Sequence, residues 1–204
     1  GGTRADSLNL VEVLKQHGYP VLETRDELLK FKGKKAWGLF APEAMMYDLD
    51  RQTLGPQEPS LAEMTAKAIE TLSKNEKGFF LFVEASKVDW AAHANDSGAL
   101  LYDQIAFDEA IGVAIEFAEK RNDTLVIITT DHGNSNPGLI YSKNNNNKFE
   151  TLQKFKHTNE WILTGIDKKS THMQLIERVN FAQGITLTGD EAKSILEDYA
   201  QLTD

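Results

Sequence analysis

"GFFLFVEASKVDWAAHAND", residues 78–96, passes from an uninterrupted apolar run to four groups able to hold a metal ion, Glu84, Asp89, His93 and Asp96. An apolar run of this length, opened by a glycine and rich in Phe and Val, reads as a strand buried on both faces. "TLVIITT", residues 124–130, reads the same way and ends at Asp131 and His132. Between the two, residues 98–120 read as one long helix, followed by a turn at residues 121–123. Strands without polar interruption, alternating with helices, imply an α/β fold with a mainly parallel sheet sandwiched by helices.

The flanks extend the pattern. Residues 6–18 place Leu8, Val11 and Leu14 at helical spacing and stop at Gly18; "YPVLET" (19–24) then reads as a strand, "RDELLKF" (25–31) as a short helix and "KAWGLFA" (35–41) as a second strand. After the loop "TLGPQEPS", Ser60 followed three residues later by Glu63 is a capping box, opening a helix with Met64, Ala68 and Leu72 on one face. The run "SKNNNNKF" (142–149) reads as a polar, low-complexity loop and a boundary. Beyond it, residues 149–155, 170–179 and a segment capped by Thr188 and Glu191 read as helices. Residues 1–138 are therefore expected to form a partial α/β core, and residues 139–204 a small helical subdomain inserted in it or appended to it.

Composition narrows the chemistry. A chain of 204 residues with 41% apolar and 26% charged residues can bury a substantial core, and no apolar stretch approaches the roughly 20 residues of a membrane helix. A net charge of −9 without clustered Lys and Arg argues against a nucleic-acid surface. With no cysteine, a transition-metal site must use His and carboxylates. The N-terminus has no basic segment leading into an apolar one, so no signal peptide is expected in this chain.

In parallel α/β sheets, functional groups collect at the carboxyl ends of strands. Both apolar runs end in such groups: Glu84 with Asp89 and His93 after it, and Asp131 with His132. If "DWAAH" is helical, Asp89 and His93 lie on one face about 6 Å apart at their β-carbons, within reach of one ion. Imidazole with carboxylate suits Zn²⁺, whereas Glu84 with other oxygens better suits Mg²⁺. Two ions roughly 4 Å apart can clamp the attacking and leaving oxygens in displacement at phosphorus, which points to phosphate-ester hydrolysis. Singly, each group has an ordinary explanation, as a solvated helix face, a strand-end polar pair or a helix-capping Glu84; their joint placement is what points to metal.

The segments "PSLAEMTAKAIETLSKNEKGFFLFVEASKVDWAAHANDSG" and "AFDEAIGVAIEFAEKRNDTLVIITTDHGNSN" resemble alkaline phosphatases of the bacterial type, from about Ser60 to Asn136. Residues 1–28 and "WGLFAPEAMMYDLDR" resemble the family less distinctively, so the likeness covers about two-thirds of the chain. The resemblance implies Asp89 and His93 as ligands of a first zinc, Asp131 and His132 of a second, and Glu84 of a magnesium ion. It places Trp90 where family members vary beside the phosphate, although an aromatic packed on the site wall explains Trp90 as well. It implies a phosphate monoester substrate, a phosphoserine intermediate, a homodimer in the full-length enzyme and a periplasmic or secreted location.

No serine in the chain stands in the family's nucleophile context; Ser86, Ser97 and Ser135 do not match it. The chain is therefore expected to be an internal fragment, inactive alone. "KHTNEW" offers His157 in a context like that of the family's late zinc-binding histidine, but within the atypical helical tail, where an ordinary loop or helical histidine fits better. His17 and His172 read as structural or exposed. "TTDHGNSNPG" also looks like metal-dependent phosphosugar and phosphoglycerate mutases, and a non-catalytic metal-binding module is the reading of another class.

Overall fold

The computed structural model describes residues 5–133 and 143–202. In chain order its elements are α1 (Leu10–Gln16), β1 (Val21–Leu22), α2 (Arg25–Lys30), β2 (Trp37–Gly38), α3 (Asp48–Leu54), α4 (Leu61–Leu72), α5 (Ser86–His93), α6 (Ser97–Glu119), α7 (Asn145–Leu152), α8 (Asn159–Thr164), α9 (His172–Gln183) and α10 (Gly189–Leu202). It divides into two compact units: residues 1–46, 55–84 and 106–128 form the first, and residues 47–54, 85–105 and 129–204 the second.

The first unit is organised by helix termini. Thr24 with Glu27, and Ser60 with Glu63, form reciprocal capping boxes that start α2 and α4. Each cap satisfies amides the helix cannot pair internally and contributes about 1 kcal/mol. The Arg25 guanidinium Nε lies 2.9 Å from both oxygens of Glu63, tying the two helix starts together. At the other end of α2, the buried Lys67 ammonium donates to the carbonyls of Leu29 (3.3 Å) and Phe31 (3.1 Å), neutralising the partial negative charge there. β1 and β2 pair in parallel, Val21 opposite Trp37 and Leu22 opposite Gly38.

The sequence leads one to expect two more strands, at 78–84 and 124–130, buried on both faces. The structure corrects both expectations. Neither segment pairs as a strand among the described residues. Phe80 is 86% exposed and Leu125 83%, with Phe82 and Ile127 also largely in solvent. Apolar content marks a segment that a sheet could bury, but burial itself comes from neighbouring strands far away in sequence.

The second unit has two apolar clusters. Tyr47, Ala91 and Ala99 form one, with Leu100 against it. The other joins α8, α9 and α10 through Ile162, Ile166, Leu175, Val179, Ala182 and Ala192. Thr171 with Gln174 forms the capping box of α9, and Gly184 ends that helix at φ 67°, a left-handed position suited to glycine. Thr188 and Glu191 cap α10 reciprocally, as their spacing predicts.

The asparagine run expected to be a loop instead enters α7. Its carboxyl end is held in place by the Tyr102 hydroxyl, which donates to the Gln153 carbonyl at 2.8 Å. A tertiary contact here overrides weak helix propensity. The boundary expected between residues 138 and 139 lies outside the described residues.

Candidate metal centre

Helix α5 is oriented by its two smallest side chains. Ala91 and Ala92 are buried, Ala91 against Tyr47 and Ala99, and the helix turns Asp89 and His93 to another face. With the four-residue spacing realised as helix, His93 Nε2 lies 3.1 Å from Asp89 Oδ1. From a segment 39 positions further along the chain than His93, His132 brings its Nε2 to 3.4 Å from the same oxygen. The two imidazoles meet edge to face with centroids 5.4 Å apart. One ligating atom from each of Asp89, His93 and His132 lies within 4.8 Å of the others. Two nitrogens and one carboxylate oxygen are a donor set that fits zinc with a coordination position left open.

Asp131 is placed beside this group but is not one of the three. Its Oδ1 accepts the His132 backbone N–H at 2.9 Å and the Thr130 hydroxyl at 3.4 Å, while Oδ2 lies 3.6 Å from His132 Nε2. The His132 amide, with smaller help from the imidazole and Thr130, holds the Asp131 carboxyl below the usual carboxylate range. Thr130 also donates to the His132 carbonyl at 2.8 Å, so the turn is fixed by its own side chains. Glu84 is exposed and belongs to the first unit.

Trp90, next to Asp89, is 47% exposed, and its ring carries the Lys87 ammonium 4.2 Å from its centroid.

Two residues with metal-ligand chemistry have other employment. Asp96 is buried and accepts the Ala99 N–H at 2.9 Å and the Asn159 N–H at 2.5 Å, so it holds the starts of α6 and α8. His157 is buried, with Nδ1 2.8 Å from Asp50 Oδ1 and its ring stacked 4.1 Å from Trp161. His17 caps α1 through the Val13 carbonyl and is exposed, as is His172 at the start of α9.

Asp103, on α6, escaped sequence reading altogether. It is buried, with both oxygens 3.3 Å from the Asp48 N–H, and burial pushes its carboxyl up to about 7 despite that hydrogen bond and the nearby Lys87 and Arg51 charges. Burial, aided by the charges of Glu160, Asp96 and Asp103, likewise pushes the Tyr47 hydroxyl up to about 12.

The linkage runs in one direction. An unfolded chain releases the Asp103 proton near pH ~4, whereas the folded protein keeps it to about pH 7, so the stability it contributes is lost as pH rises through that window. Asp103→Asn removes the titration. Relative to the parent, its urea midpoint should therefore rise between pH 5 and pH 8, and a constant difference across that range would refute the assignment.

Comparison with known proteins gives a consistent result. The family model for alkaline phosphatase matches residues 1–194. Alkaline phosphatase 4 of Bacillus subtilis (strain 168) is 36% identical over 187 residues, covering 92% of this chain and 39% of that protein. Alkaline phosphatase of Escherichia coli (strain K12) is 45% identical over 95 residues, 42% of this chain and 20% of that protein. The crystal structure of Thermus thermophilus alkaline phosphatase superposes with a TM-score of 0.89 at 30% identity, covering 95% of this chain and 42% of that one. The chain thus spans about two-fifths of the length of the Bacillus relative and of the Thermus structure.

Proposed function

The chain belongs to the alkaline phosphatase family, and on that premise we propose that it is the metal-binding part of a metal-dependent phosphate monoester hydrolase. The observation that carries the reading is the convergence of Asp89, His93 and His132, from segments far apart in sequence, into one group of metal-ligand type. Asp89 and His93 would hold one zinc ion, Asp131 and His132 a second, and Glu84 a magnesium ion. Bound there, the ions would supply Lewis-acid polarisation of a phosphoryl oxygen. The chain's own part is to present the donors: α5 fixes Asp89 and His93 at one helix face, and the Thr130 and Asp131 hydrogen bonds fix the His132 backbone.

The proposal places the nucleophilic serine, and hence the phosphoserine step, outside these 204 residues. It assigns residues 1–138 to an α/β core with a mainly parallel sheet between helices, and residues 139–204 to a helical subdomain. The parallel pairing of β1 with β2 is in keeping with the first assignment, and the cluster shared by α8, α9 and α10 supports the second. No helix among the described residues is long and apolar enough to cross a membrane. Homodimerisation and a periplasmic or secreted location belong to the same proposal.

The test is hydrolysis of an aryl phosphate by the full-length protein, lost on chelation and restored by zinc with magnesium. The 204-residue chain alone should bind zinc weakly and turn over no ester. Isomerisation of a phosphosugar without release of phosphate would favour a mutase instead. Zinc binding without either activity would favour a non-catalytic module.

A further inference from the structure

Lys87 has no role in the metal-binding group, yet its position beside that group is unusual. Its ammonium lies 4.3 Å from the centroid of the Tyr47 ring and 4.2 Å from that of Trp90, so one cation is held between two aromatic faces. The two rings differ in freedom. Tyr47 is buried in the cluster with Ala91 and Ala99, whereas Trp90 is half-exposed. A ring fixed in the core therefore holds the cation, and the cation holds the half-exposed ring.

The sequence spacing makes this bracket local. Lys87 and Trp90 are three residues apart on α5, and Trp90 is three residues before His93, so the three side chains run along neighbouring positions of one helix. Anything that sets the indole's direction sets the wall beside His93. The attraction is that of an ammonium for the negative face of a π-system, strongest for indole, and either Lys or Arg can provide it.

Resting on the phosphatase reading above, we propose that Lys87 is a positioning residue, which orients the Trp90 indole as a stacking wall for esters with a planar leaving group. One indole face is occupied by the ammonium, and the other is available to a flat aromatic or nucleoside group carried by the phosphate. Esters with small aliphatic leaving groups gain nothing from such a wall. Lys87 touches no reacting atom; its effect passes through Trp90 and appears in substrate binding more than in turnover.

The experiment uses the full-length protein labelled with 5-fluorotryptophan, with the Trp90 resonance assigned by Trp90→Phe. Lys87→Met should shift or broaden the Trp90 signal and raise KM for an aryl phosphate about tenfold, with a smaller change in kcat. KM for a small alkyl phosphate should stay within about twofold. Lys87→Arg should restore both the signal and the aryl KM, and circular dichroism of each variant checks that the fold is intact.

A Trp90 signal that does not move in Lys87→Met overturns the bracket. A signal that moves while aryl and alkyl KM values change together overturns the specificity role. Absence of hydrolysis of any monoester by the metal-loaded parent overturns the phosphatase reading itself and the specificity role with it, while the fluorine signal still decides whether Lys87 orients the indole.

Discussion

Asp89→Ala in the full-length protein is expected to lower zinc affinity by more than about 100-fold and to abolish turnover of an aryl phosphate. The reason lies in a single atom. Asp89 Oδ1 faces both imidazoles, at 3.1 Å from His93 Nε2 and 3.4 Å from His132 Nε2, so it is common to the two segments that converge on the site. Removing it leaves the first zinc with His93 alone of the two ligands proposed for it here, whereas zinc takes three or four protein ligands in most sites. Changes to groups that merely support a ligand already cost about 10- to 100-fold in affinity, so loss of a ligand should exceed that range.

Asp89→Asn keeps the shape but offers a neutral oxygen, and should fall between the parent and the alanine variant. Competition against a chromophoric chelator measures all three. Parental zinc affinity in Asp89→Ala would mean that this group is a hydrogen-bonded cluster and not a metal centre.

What could be read from sequence divides along the range of the interactions involved. The capping boxes of α4 and α10, the length of α6 and the helical spacing of Asp89 and His93 are all local, and each appears where residue order puts it. The two apolar runs show the limit. Their composition marks the segments, but whether a side chain such as Phe80 is covered depends on partners that no local pattern encodes.

The site divides the same way. His132 could be suspected because a second apolar run ended beside it, although its approach to the oxygen of Asp89 is a tertiary contact that no local pattern encodes. Asp96 stood among the groups able to hold a metal because a carboxylate just before a helix suits an ion or a cap equally, and sequence cannot tell which donors will reach it. Lys87 gave no signal at all, since a lysine on a helix is ordinary until two rings are found against it. Asp50 and His157 stand 107 positions apart, and nothing in either neighbourhood announces the other.

That last pair carries the second large expected effect. Asp50→Ala should destabilise the protein by about 3–5 kcal/mol, because buried donors lose their acceptor. Asp50 is 6% exposed. Its Oδ1 accepts from His157 Nδ1 at 2.8 Å and from the Thr158 N–H at 3.4 Å, and its Oδ2 accepts from the Thr158 hydroxyl at 2.6 Å. These bonds join α3 to the start of α8, where Thr158 is also the helix cap and His157 stacks on Trp161. Each stranded donor costs about 1–3 kcal/mol, and two side-chain donors plus a long backbone bond give the stated range.

Asp50→Asn retains one acceptor oxygen and should lose less. Once Asp50 is gone, further removal of His157 should cost much less than it does in the parent, since residues in one network are not additive. The same variants separate structure from metal binding: His157→Ala should lower the urea midpoint while leaving zinc affinity at its parental value. If His157→Ala weakens zinc binding with the fold intact, then His157 serves the metal after all, and the bond to Asp50 orients a ligand instead of locking a helix.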